Sequence, residues 1–156
     1  MHNVLEVAEW FTTKNGNCIE PKKMQKLCYY AQAWSYAIAE DIAPIIDGDF
    51  QAWVHGPVNR TLWEQFRDIA YRDILTTDFP NYAKDGFSER ETDLLESVWL
   101  TYGHLSGAAL EYLSHRELPW LEQRKGLGDY DPGWNVILPD TMRSFYRSIY
   151  IADGVN

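Results

Sequence analysis

PKKMQKLCYYAQAWSYAI, residues 21–38, is the stretch whose reading decides the fold. Pro21 suits the first turn of a helix, where its missing N–H is not needed. Behind it Met24, Leu27, Cys28, Ala31, Ser35 and Ile38 recur at helical spacing as one stripe, and Tyr30, Ala33, Trp34 and Ala37 widen that stripe. A helix that is apolar around most of its girth belongs at the centre of a fold. We therefore expect a central helix over 21–39, with the other elements packed around it. Lys22, Lys23 and Lys26 cluster at its head and read as a solvated helix face.

Upstream, Val4, Leu5, Ala8 and Phe11 follow helical periodicity until Asn15-Gly16 stops them. Downstream, 43–49 contains Pro44 and Asp47-Gly48 and reads as a turn. FQAWVHGPV, residues 50–58, then breaks the helical pattern: Phe50, Ala52 and Val54 alternate with Gln51, Trp53 and His55 as in a half-buried strand. Gly56-Pro57 combines a permissive with a restricted residue, and is expected to reverse the chain and open a helix over 58–70 that buries Leu62, Phe66 and Ile69. Residues 76–86 form a loop.

Ser88 and Glu91 have the spacing of a capping box, and Leu94, Leu95, Val98, Trp99 and Tyr102 follow on one face. Ser106 is placed to cap a helix carrying Ala109, Leu110 and Leu113, and Pro119 restarts the chain into a short helix ended by Gly126. Residues 126–133, with three glycines and Asp131-Pro132, read as a mobile linker. Pro139 begins a last helix that faces Met142, Phe145, Tyr146 and Ile149 inward. The expected fold is all-α: one compact multi-helix domain over 1–156, with a single small β element around 50–55.

Composition narrows the function. Fourteen Lys and Arg against 23 Asp and Glu give a net charge of -9, which disfavours a nucleic-acid partner and fits a basic or apolar protein. Residues 106–115 carry Glu111 and no Lys or Arg, so helices four and five do not make a recognition motif for DNA. Aromatic residues make up 15% of the chain, more than a core centre holds, so some are expected to meet a partner. Cys18 and Cys28 support neither a disulfide scaffold nor a zinc site. The acidic start and the absence of a spanning apolar run predict a protein of the reducing cytoplasm, with no membrane contact.

Three blocks carry further information: PKKMQKLCYYAQAWSYA at 21–37, DFQAWVHGPVNRTLWEQF at 49–66 and LSHRELPW at 113–120. They resemble the Panacea domain, a family of phage-associated and antitoxin proteins. The family's lysine-leucine helix with aromatic and alanine residues falls on Lys23, Lys26, Leu27, Tyr30, Ala31 and Trp34. Its Ala-Trp-x-x-Gly-Pro-Val turn falls on Ala52, Trp53, Gly56, Pro57 and Val58, and its His-x-x-x-Pro-Trp segment on His115, Pro119 and Trp120. Met24 stands where the first motif leucine is usual, and Asn59 to Trp63 replace the common Pro-x-x-Tyr continuation. The resemblance implies an antitoxin that neutralises a cognate toxin by direct binding, in a prophage or toxin-antitoxin operon, without catalysis or cofactor.

On that reading Trp53, His55, Trp63 and Trp120 are the candidate partner contacts. Tyr30, Trp34, Gly56, Pro57, His115 and Pro119 are scaffold, since glycine and proline act first on the backbone and an aromatic on a largely apolar helix belongs to the core. Tyr71 and Tyr82 lie in polar sequence where an exposed ring would also serve as an anchor. A different class remains open: a metal-assisted hydrolase using Glu111 and His115, four apart on one helix face. Neither HExxH nor a second Glu-His repeat accompanies them, and a histidine at a helix C-terminus is favoured there by the helix dipole alone. His2 lies at a disorder-prone end. A phage accessory protein that binds a host factor would use the same surface.

Overall fold

The computed structural model of the protein describes residues 1–38, 44–69 and 71–154; the expectations that reach Ala39, Ala43 and Ala70 lie outside the described residues. Seven α-helices are described: α1 Val4–Lys14, α2 Pro21–Ile38, α3 Arg60–Phe66, α4 Glu89–Tyr102, α5 Gly107–Ser114, α6 Leu118–Glu122 and α7 Pro139–Gly154. Short 3-10 turns cover Arg67–Ile69 and Thr76–Asp78. The β structure is two small antiparallel pairs, β1 Cys18–Ile19 with β4 Ile74–Leu75 and β2 Gln51–Trp53 with β3 Gly56–Val58. The fold is mostly α, as the periodicity predicts.

Helix α2 is the axis. It packs most extensively on α7, then on α5, α1 and α4, and Leu27, Cys28, Tyr29, Tyr30, Ala31 and Ala33 along it are fully buried. Two buried glutamines on α2 stand in for missing strands. Gln25 donates to the Asn59 carbonyl and accepts from the Asn59 N–H, and Gln32 makes the same pair with Ile46. Each amide satisfies a donor and an acceptor of passing backbone that would otherwise be buried unpaired.

The helix ends follow their local chemistry. Ser88 and Glu91 form the reciprocal capping box, and Ser106 accepts from the Ala109 N–H to start α5. On α7 Met142 and Tyr146 are buried while Phe145 and Ile149 are half-buried.

Four local expectations are corrected. Gly56-Pro57 does not open a helix: the chain reverses at Val54 and His55, Gly56 and Pro57 belong to β3, and α3 starts at Arg60 with Asn59 as its cap. Pro57 is tolerated there because it needs no N–H, while its carbonyl accepts from Lys26. The segment 126–133 is not a free linker. The buried Arg124 guanidinium donates to the carbonyls of Ala52, Gly128 and Asp131, and beyond the segment Ala52 N–H and Ile137 N–H bond to Asn135 and Phe50 carbonyls, adding a third chain beside β2. His2 is buried, bonded to Glu6 at 3.2 Å and Glu91 at 2.7 Å, and its backbone bridges to Ile46. Lys26 is 1% exposed and is no part of a solvated face.

Candidate functional site

The β2–β3 hairpin separates two sets of side chains. Phe50 and Ala52 enter the core, whereas Trp53 and His55 turn outward. The Trp53 indole N–H donates to Gln51 Oε1 at 2.8 Å, and its ring meets Trp63 of α3 edge to face, with centroids 5.3 Å apart. Trp63 is 36% exposed, and the Arg67 guanidinium lies 5.5 Å over its ring. These rings border a groove of about 540 Å³ whose apolar wall includes Met24, Val58, Leu62 and Phe66.

Lys26 ends the groove on the α2 side. Its ammonium donates to the Pro57 carbonyl at 3.2 Å and lies directly under Gly56. A Cβ on Gly56 would stand 2.5 Å from Lys26 Cε, and Gly56 has φ +108, so this position needs glycine twice over. Burial drives the Lys26 pKa down to about 7, although the Glu111 carboxylate pulls it up. Burial also works against charge on Glu111, but hydrogen bonds from Lys22 and His55 outweigh it and its pKa sits below the ordinary value. Lys22 Nζ is 2.8 Å from that carboxylate and His55 Nδ1 is 3.3 Å from it.

Of the four expected contact residues, the fold brings Trp53, His55 and Trp63 to one face. Trp120 is elsewhere. It is 8% exposed, its indole N–H donates to the Trp53 carbonyl at 2.8 Å, and its ring stacks on His115 with centroids 4.0 Å apart. Trp120, His115 and the buried Pro119 thus support the hairpin from below. Tyr30 is fully buried and Trp34 half-buried with its indole N–H on the Tyr102 hydroxyl. Tyr71 is exposed, while Tyr82 hydrogen-bonds Glu9.

Among the described residues Glu111 and His115 belong to no cluster of three potential metal ligands, although His55 lies against Glu111. Among the described residues the trio with potential ligand atoms within 4.8 Å of one another is His2, Glu6 and Asp85. There both nitrogens of His2 already face carboxylates, and Glu6 accepts from the Gly86 N–H. His115 caps the end of α5, and burial pushes its pKa below the ordinary value. Its Nε2 is buried without a partner among the described residues.

Lys26 and Gln25 are the site residues that sequence reading missed. A lysine next to Leu27 and two residues after Met24 on a largely apolar helix carried the signal, but only the approach of Gly56 explains its burial.

The arrangement is an apolar groove with paired aromatic rings at its edge and basic side chains at its floor and rim. The profile of the antitoxin SocA-like, Panacea domain family matches residues 24–121, more than half of the chain, and the chain belongs to that family. The match runs from α2 to α6 and contains the groove lining from Met24 to Ala108, while Glu20, Pro21 and Lys22 at its rim lie just before it. No curated protein and no solved structure matches the chain. Among the described residues no helix is long and apolar enough to cross a membrane.

Proposed function

We propose that this protein is an antitoxin that neutralises a cognate toxin by direct contact, with Trp53, His55 and Trp63 at the centre of the contact surface and Trp120 holding that surface in place. The observation that carries this reading is the pair of partly exposed tryptophans, Trp53 and Trp63, both within the family-matched residues and both bordering an apolar groove. Tryptophan anchors beside a groove are the common form of an interface hot spot, because they bury much area at little entropic cost. A net charge of -9 favours a basic toxin by long-range attraction and disfavours nucleic acid. The whole chain acts as one unit in the cytoplasm, from an operon shared with the toxin gene or from a prophage.

The test is co-expression with the adjacent reading frame. A neighbour that arrests growth alone and is harmless with this protein supports the assignment. Growth that is unaffected by the neighbour alone removes it. Trp53→Ala with Trp63→Ala is expected to abolish rescue while the purified variant keeps its helical circular dichroism.

A further inference from the structure

The charge on the groove is the reverse of the charge on the chain. The chain has 23 acidic and 14 basic residues, yet the charged lining of the groove is Lys22, Lys26 and Arg67 against Glu20, with the Glu111 carboxylate beside Lys22 as the nearest further acid. Lys26 has three ammonium hydrogens, and among the described residues Pro57 is its single hydrogen-bond acceptor. Lys22 and Arg67 are each more than a third exposed at the rim. Apolar walls that end on a buried cation bind a side chain with matching parts.

We propose, resting on the toxin-binding reading above, that the groove receives a partner segment in which an apolar side chain stands next to a glutamate or aspartate. The apolar group packs between Trp53, Trp63 and Leu62, and the carboxylate pairs with Lys26 at the floor and with Lys22 or Arg67 at the rim. A side-chain carboxylate is required because the Lys26 ammonium lies beneath Gly56. A slender side chain reaches it, whereas a terminal carboxylate would have to carry the main chain into the groove. The acidic surface outside the groove steers a basic partner at long range, and the anchor reads its local sequence.

Three capped dipeptides test this without any toxin: acetyl-Phe-Glu-amide, acetyl-Phe-Gln-amide and acetyl-Phe-Lys-amide, titrated into the full chain while the indole N–H resonances of Trp53 and Trp63 are followed by NMR. The glutamate peptide is expected to shift both resonances and to bind about fivefold tighter than the glutamine peptide. Lys26→Met should remove that preference but keep the glutamine peptide's binding, and Arg67→Gln, on the exposed rim, should reduce it without disturbing a buried partner. Equal binding of the glutamate and glutamine peptides, tighter binding of the lysine peptide, or shifts away from Trp53 and Trp63 would overturn the proposal. So would acetyl-phenylalanine binding as well as the glutamate peptide, which would assign the site to a chain end. The peptide preference without rescue in co-expression would remove the toxin reading and leave the groove assignment standing.

Discussion

Lys26 and Gly56 bear on each other at single-residue scale. A lysine whose pKa is held near 7 in the folded chain and near 10.5 in the unfolded chain binds fewer protons when folded. Its contribution to stability is therefore lost as pH falls through about 7 and recovered toward 10.5. Denaturant unfolding should show stability rising by about 1–2 kcal/mol between about pH 7 and 8.5, a window below the range where Cys28, Tyr29 and Tyr146, with pKa values raised by burial, act in the opposite sense. In Lys26→Met the rise should disappear. Gly56→Ala should cost about 2 kcal/mol or more, since it meets both the positive φ and the Lys26 Cε contact. The same denaturation series measures it, and an unchanged midpoint would contradict this account of the glycine.

At the scale of elements, α2, α6 and α7 meet around one carboxylate. Glu117, at the cap position of α6, accepts from Tyr30 on α2 at 2.7 Å and from Tyr146 on α7 at 2.9 Å, and Tyr146 also bonds Tyr29 at 3.0 Å. Burial pushes the Glu117 pKa up, with the two hydroxyls acting against it. A raised folded pKa means that stability is lost as pH climbs from the unfolded value of 4.5 through the folded one. Glu117→Gln keeps an acceptor for both hydroxyls without a charge, so its thermal midpoint at neutral pH should equal or exceed that of the parent. Glu117→Ala leaves the buried Tyr30 hydroxyl unpaired and the Tyr146 hydroxyl with Tyr29 alone, and should lose about 1–3 kcal/mol. The Arg124 clasp is the matching device on the hairpin side. Arg124→Ala frees three carbonyls, and amide hydrogen exchange should rise at Ala52 and Ile137, whose N–H groups form the ladder beside it.

For the whole molecule, the core and the proposed recognition face are separate. The core is α2 with α1, α4, α5 and α7 around it, whereas Trp63 lies on the short α3 and is partly exposed. Trp63→Ala should therefore leave the melting temperature within a few degrees of the parent, a shift of about 1 kcal/mol or less for a chain of this size, while rescue in co-expression is lost. A large fall in melting temperature would place Trp63 in the scaffold instead. If the toxin is basic, its association rate should also fall steeply with added salt while dissociation changes little.

Helix α2, the Ser88–Glu91 cap, the start of α5 and the inward face of α7 were all legible from residue order, because each depends on spacing within one turn or two of chain. The Panacea blocks were legible for the same reason, as runs of residue types at short fixed intervals. What residue order could not show was anything that depends on the approach of distant segments. Gly56 meets Lys26 across 30 positions and turns an apparent surface lysine into the floor of a groove. Arg124 closes on Ala52 and converts a glycine-rich stretch into part of the hairpin's support. Trp120 and Trp63 are both tryptophans in short helices, yet one lies under the hairpin and the other beside its open face. The sequence by itself determined the helices, the central role of α2 and the family. The tertiary structure decided which aromatics face solvent and which cation is buried, because exposure and desolvation are properties of the space between segments and not of the order along any one of them.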